Sequence, residues 1–262
     1  MSQPNEKWHA LVLAASRGPN DPMAKHYGVS HKCLIEVGGE KMLARVVNVL
    51  ADHPSIQSIR VSIEDEAALD LALGKKREKV IFEPSTTSAP ASVLQALAHI
   101  KDGYKVLVTT ADHALLDRDM LDHFMSSAEQ SDSDLNVGLA SDKIILGAYP
   151  NAKRTFLKFG PDRVSGCNLF AFKTPQAQKV LAFWQQIEKN RKNPFKLVAA
   201  FGFKAIVAYL TSSINLEKAF ELASNRIGVV AKPVLMPFAN AAIDVDKPED
   251  KDLVEDILAN KS

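Results

Sequence analysis

Three carboxylates and one long basic loop are the parts of this sequence with spacing suited to chemistry. Asp112 stands just past the apolar run Tyr104–Thr109, so a strand there would deliver its carboxylate to the carboxyl edge of a sheet. A carboxylate in that place is a good ligand for Mg²⁺, which prefers hard oxygen donors and substrate phosphates. Asp244 and Asp246 alternate around Val245, and in extended chain they share one face, where they could complete a metal site. Either could instead serve only the helix that Pro248 begins, where acidic first-turn residues are favourable. His113 is read as a neighbour of Asp112 and not as a catalyst.

The loop after the first apolar run, Ala14 to Lys32, carries Arg17, Lys25 and Lys32 among small residues that include Ala15, Ser16 and Gly18. Small residues let backbone N–H groups approach phosphate, and Arg and Lys neutralise it. Neither GxxxxGK[ST] nor GxGxxG occurs, and a solvated connection is the plain alternative. A structureless loop of this length is usually functional or disordered.

The elements that must position these residues follow from hydrophobic periodicity. His9–Ala15, Ile56–Ile63, Lys79–Phe82 and Tyr104–Thr109 have strand patterns. Met42–Leu50, Ala91–Ile100 and Asp117–Ala128 have helical ones. That alternation implies right-handed βαβ units and a parallel sheet, with ligands beyond the carboxyl ends of its strands. Downstream, Leu135–Ala140, Ile144–Tyr149, Gly166–Phe172 and Ile227–Met236 read as strands. Pro175–Lys189, Lys196–Leu210, Leu216–Ser224 and Lys247–Leu258 read as helices. Segment 197–210 is apolar nearly all round apart from Lys204. It is either a buried helix or an apolar surface for a partner or a membrane interface.

Composition narrows the function class. The 262 residues are 46% hydrophobic and 24% charged, an ordinary globular mix. Lys and Arg number 32 against 31 Asp and Glu, so a basic excess for nucleic acid is missing. Two cysteines without ligand spacing exclude a zinc ribbon or redox pair and fit a reducing compartment. The polar N-terminus does not resemble a secretory leader, and no apolar run is long enough to span a membrane. The expected location is the cytoplasm. No pattern speaks to oligomeric state.

Taken together, LVLAASRG…HKCLIEVGGEKMLARVV, Thr109-Thr-Ala-Asp112 and Asp244-Val-Asp246-Lys-Pro-Glu-Asp250 resemble the MobA-like NTP transferases, nucleotidyltransferases of the GT-A type. The resemblance covers residues 9–125 and returns at 227–258. It implies a three-layer α/β/α fold with a mostly parallel mixed sheet and a helical elaboration in the C-terminal half. One domain is expected, comprising an NTP-binding half (9–128), acceptor-side strands and helices (129–226) and a closing segment (227–258).

The implied reaction moves a nucleoside monophosphate from an NTP, CTP or GTP first, to a phosphorylated small molecule, releasing pyrophosphate. The resemblance makes Arg17 and Lys32 phosphate contacts and Ala14, Ala15, Ser16 and Gly18 the phosphate loop. Ser88 and Ser92 fall near base and ribose. Asp112 and Asp246, with Asp244 second, become ligands of Mg²⁺ or Mn²⁺. Asn168 becomes an acceptor contact, and Arg154, Lys158, Arg191, Lys192 and Lys196 candidates for an acceptor-phosphate pocket. The sequence departs from the family's A-G-G-x-G-x-R-M run, reading Ala14-Ala-Ser-Arg17-Gly-Pro19. Two other classes stay open: a glycosyltransferase, since Asp244-Val-Asp246 is literally DxD, and a nucleotide-binding module without catalysis.

Overall fold

A computed structural model describes residues 7–16, 20–100, 105–190 and 214–260. Its centre is an eight-stranded sheet of order β10-β7-β9-β6-β1-β4-β5, with β8 paired to β9. The strands are β1 (Trp8–Leu13), β4 (Ile56–Ile63), β5 (Val80–Pro84), β6 (Val106–Thr110), β7 (Leu135–Ser141), β8 (Leu157–Phe159), β9 (Asp162–Phe172) and β10 (Ala231–Leu235). The pairs β1·β4, β1·β6, β4·β5 and β10·β7 are parallel, and β9 runs antiparallel to β6, β7 and β8. A small hairpin, β2 (Glu36–Val37) with β3 (Glu40–Lys41), lies outside this sheet.

The central strands read as unbroken apolar runs because both of their faces are covered. Ala10 and Val12 of β1, with Leu107 of β6, belong to one core, which also takes residues of helices α2 (Met42–Ala51), α3 (Glu66–Leu73) and α5 (Arg118–Gln130). Leu11, Val106 and Val108 belong to the other, shared with α4 (Ala89–Ala98) and α7 (Lys179–Asn190). The period of two along each strand divides its side chains between the layers. The mixed, mostly parallel sheet between helical layers is the architecture expected from the sequence. Helices α8 (Leu216–Ile227) and α9 (Pro248–Ala259) complete the described C-terminal half.

Three local expectations are corrected. Ile144–Tyr149 is not a strand: Asp142–Ala148 forms helix α6, with the Ser141 hydroxyl accepting from the Ile144 N–H. Short apolar runs fit either structure, and here the Ser-Asp cap decides. The expected strand from Ile227 starts only at Ala231, because α8 continues to Ile227 and ends on Gly228 in the left-handed conformation. The irregular stretch 16–31 contains helix α1 (Pro22–Tyr27), capped by Asp21 and closed by Gly28. Segment 197–210 lies outside the described residues.

The site's position follows from three anchors. The Ala111 N–H donates to the Leu13 carbonyl, tying the end of β6 to the end of β1. The Val245 N–H donates to the Asp112 carbonyl and brings the C-terminal segment to the same edge. Gly38 and Gly39 turn the β2–β3 hairpin at positive φ, and a Cβ on Gly38 would stand 2.9 Å from Leu258 of α9. The positive φ at both positions favours glycine there.

Candidate active site

A cleft of about 620 Å³ opens at the carboxyl edge of β1, β4, β5 and β6. Its wall includes Ala15, Ser16, Lys32, Ser88, Ser92, Asp112 and Asp246, seven residues singled out by sequence and drawn from four separate segments. The fold thus gathers the loop after β1, the turn before α4, the turn after β6 and the segment before α9.

At one end of the cleft sits a charged triad. Lys32 Nζ donates to Asp112 Oδ2 at 2.6 Å and to Asp246 Oδ1 at 2.7 Å. Thr110 Oγ1 donates to the second Asp112 oxygen at 2.6 Å and fixes that carboxylate's orientation. Burial by itself would lower the Lys32 pKa, but the Asp112 and Asp246 charges outweigh it and hold the ammonium above the ordinary lysine range. Asp246 is positioned from behind: the Asp250 carboxylate accepts from the Asp246 and Lys247 N–H groups at 3.1 and 2.9 Å while capping α9.

These two carboxylates fit a divalent cation. Both aim oxygens at one point, and that point is already filled by a positive charge, the Lys32 ammonium. Two hard carboxylate donors are what Mg²⁺ uses when phosphates and water complete its shell. Among the described residues no cluster of three or more such ligands occurs, so the protein alone does not build a closed cage.

Asp244 has a different place. Arg154 Nη1 donates to its Oδ1 at 2.6 Å and to its backbone carbonyl at 3.1 Å; Nη2 bonds the same Oδ1. Asn168 Nδ2 donates to Oδ2 at 3.0 Å. Both carboxylate oxygens are thereby engaged. Burial raises the Asp244 pKa to about 6, against the lowering effect of Arg154 and with Asp112 and Asp246 adding to the rise. Asn168 holds its amide there from a positive φ of 51°, at a bulge in β9 where the register against β7 shifts. Bulges re-aim side chains in this way, and asparagine tolerates the left-handed region.

In this arrangement Asp244 faces Arg154 and Asn168 and does not line the cleft, whereas Asp246, the other acid of the literal DxD, does. Arg154 and Asn168 bond Asp244 and do not line the cleft. Lys158 is exposed on β8, opposite Arg163, and is likewise outside the cleft wall. Arg17, Gly18, Arg191, Lys192 and Lys196 lie outside the described residues. Ala14 is buried, its N–H donating to the Ser62 carbonyl. Ser88 and Ser92 reach the wall, but as structural hydroxyls: Ser88 caps α4, and Ser92 Oγ accepts from the Thr86 N–H at 2.8 Å. His113 is buried, and burial lowers its pKa to about 4, keeping it neutral.

The structure adds residues that sequence patterns do not announce. Asp21, Pro22 and Met23 at the start of α1, together with Ser62, Thr86 and Thr87, line the cleft. The Asp21-Pro22 pair is a legible helix start, and it was the available signal for this part of the wall. Ser62 has its hydroxyl buried without a hydrogen-bond partner. Glu64 reaches the loop after β1: its carboxylate accepts from the Ser16 N–H at 3.2 and 3.3 Å and from the Ser16 hydroxyl at 3.1 Å. His31 Nε2 lies 3.7 Å from the same carboxylate. No sequence signal links residues 16 and 64.

Comparison with known proteins bears on the family and the fold. Residues 10–158 match the family model of the MobA-like NTP transferase domain. A hypothetical transferase from Thermus thermophilus superposes with a TM-score of 0.79 at 22% identity, over 94% of this chain and 99% of the other. The CMP:2-keto-3-deoxy-manno-octonic acid synthetase solved with CTP gives 0.61 at 11% identity, over 98% and 100%. The 4-diphosphocytidyl-2C-methyl-D-erythritol synthase of Anaerococcus prevotii gives 0.57 at 14%, also over 98% and 100%. At these identities the likeness to solved structures is one of fold. No curated protein matches the sequence.

Proposed function

The chain belongs to the MobA-like NTP transferase family, and from that premise we propose that it transfers a nucleoside monophosphate from an NTP to a phosphorylated small molecule, releasing pyrophosphate. The observation that carries the reading is the Lys32–Asp112–Asp246 triad at the mouth of a cleft large enough for a nucleotide. CTP heads the candidates, with GTP second. Support for CTP comes from the cytidine-nucleotide synthases among the structural neighbours.

An acceptor phosphate oxygen is already anionic, so in-line attack on the α-phosphorus demands no general base. Catalysis then rests on positioning and on stabilising charge. Asp112 and Asp246 are the residues that would hold Mg²⁺ (or Mn²⁺), which when bound supplies Lewis-acid stabilisation of phosphate charge. Lys32 would contact the triphosphate, neutralising the α-phosphate and the departing pyrophosphate. Arg17 is assigned the same task through the family pattern. Thr110 holds the Asp112 carboxylate and Asp250 holds the Asp246 backbone, so both acids are set before substrate arrives. The long cleft wall from Ser16 to Ser92 would bind ribose and base.

The test is thermal stabilisation by ATP, CTP, GTP and UTP, each with and without Mg²⁺. A ligand at 100 times its Kd stabilises by ~2.7 kcal/mol. One NTP should stand out, and only with Mg²⁺. Pyrophosphate release then screens sugar, polyol and other small phosphates as acceptors. A flat response to all four nucleotides, repeated in the presence of those acceptors, would sink the proposal.

A further inference from the structure

We propose that Lys32 is a resident counter-cation of the metal site, exchanged for the divalent ion only when a nucleotide's phosphates draw its ammonium away. This rests on the nucleotidyltransferase reading and states how the same site is loaded. The ammonium lies 2.6 Å from Asp112 and 2.7 Å from Asp246, between the two carboxylates. Mg²⁺ binds carboxylate oxygen at ~2.1 Å, within the space that Nζ fills. Lys32 therefore has to leave before both acids can take a metal.

Leaving has a cost when no other anion is available. The Lys32 side chain is mostly buried, at 17% exposure, and Asp112 is at 20%. An ammonium withdrawn from both acids there would give up two charge-assisted hydrogen bonds. A triphosphate in the adjoining cleft supplies replacement oxygens. Nucleotide and metal then bind with positive coupling, each raising the other's affinity by the same factor. The device also holds Asp112 and Asp246 together in the free protein, where two bare carboxylates would repel each other.

The experiment measures Mn²⁺ binding directly, by loss of the free-ion electron paramagnetic resonance signal, on the full chain without acceptor. Wild type should bind Mn²⁺ weakly alone and ~10-fold or more tightly with CTP or GTP present, once the Mn²⁺ that the same nucleotide binds without protein is subtracted. Lys32→Gln keeps hydrogen-bond donors between the acids but yields its place more easily. It should bind Mn²⁺ alone ~10-fold more tightly than wild type, and most of the nucleotide coupling should vanish. Lys32→Met provides a second neutral variant should Lys32→Gln unfold, with circular dichroism as the fold check.

Lys247→Gln separates exchange from general charge. Lys247 is exposed and adjoins Asp246 in sequence without holding either carboxylate, so its removal should leave Mn²⁺ affinity nearly unchanged. The proposal is overturned if Lys32→Gln and Lys32→Met bind Mn²⁺ no more tightly than wild type, or if Lys247→Gln matches them. It is also overturned if wild type, with a nucleotide that calorimetry shows to be bound, takes up no more Mn²⁺ than the free protein and the free nucleotide take up separately. Failure to bind any NTP would remove the nucleotidyltransferase reading instead, and the variants' Mn²⁺ affinities without nucleotide would still decide the exchange.

Discussion

Two acids separated by one residue meet opposite fates in this protein. Asp246 faces the cleft, largely exposed, and shares the Lys32 ammonium with Asp112. Asp244 is mostly buried and held by a planar arginine on one oxygen and a bulge asparagine on the other. Val245 between them is fully buried. The neighbours, not the backbone period, divide the work. A lysine ammonium is a compact charge on a flexible stem that can follow an incoming phosphate, whereas a guanidinium fork fixes geometry. The Lys32 cluster is built to change partners and the Arg154 cluster to keep them.

The largest effect should come from breaking the fixed cluster. Arg154→Ala leaves the buried Asp244 carboxylate without its cation, and it should lower unfolding free energy by ~3 kcal/mol. Urea titration with an unchanged m-value would measure it. Lys32→Ala also uncovers a mostly buried acid, Asp112, but Thr110 still donates to it and Asp246 is 58% exposed, so the loss should be smaller, ~1.5 kcal/mol. Equal losses at the two sites would abolish the distinction drawn between them.

Activity should invert that order. Asp112→Asn should slow pyrophosphate release by at least ~10²-fold, as for other lost electrostatic stabilisers, with little change in stability because Thr110 can still bond the amide oxygen. Near-normal turnover would remove Asp112 from the mechanism. Asn168→Ala sharpens the other side. It forfeits a hydrogen bond to Asp244 and places alanine at positive φ, together worth ~1–2 kcal/mol. Asn168→Gly relieves the backbone strain while losing the same hydrogen bond, so it should be the more stable of the two variants. The reverse ranking would show that the bulge matters less than the side chain.

Much of this site was legible before any fold. Asp112 stands out because a five-residue buried strand ends just ahead of it, and Lys32 because the family pattern places a lysine before the next apolar step. What sequence could not supply was partnership at long range. The family pattern ranks Asp246 ahead of Asp244, but it does not show that Arg154 and Asn168, 90 and 76 positions away, take up Asp244. The fold shows the same limit. The central strands announce themselves because both faces are buried, whereas 144–149 carries too short an apolar run for its period to be read. There a serine cap, a local polar contact, settled the helix.

The smallest and most discriminating effect concerns the loop after β1, where the molecule again supplies its own counter-charge. Glu64 accepts from the Ser16 N–H and hydroxyl, the donors that family likeness would aim at phosphate. A carboxylate there orders the loop but also repels an incoming triphosphate. Glu64→Gln keeps an oxygen acceptor and removes the charge. The Glu64 side chain is about a third exposed, so solvent screens the repulsion to under ~1 kcal/mol. NTP affinity should therefore rise by ~3-fold, measured by calorimetry at low ionic strength, and the gain should shrink as salt is added. If Glu64→Gln instead weakens NTP binding, the carboxylate's hold on the loop outweighs its repulsion. Glu64 would then belong with Arg154 among the groups that keep their partners.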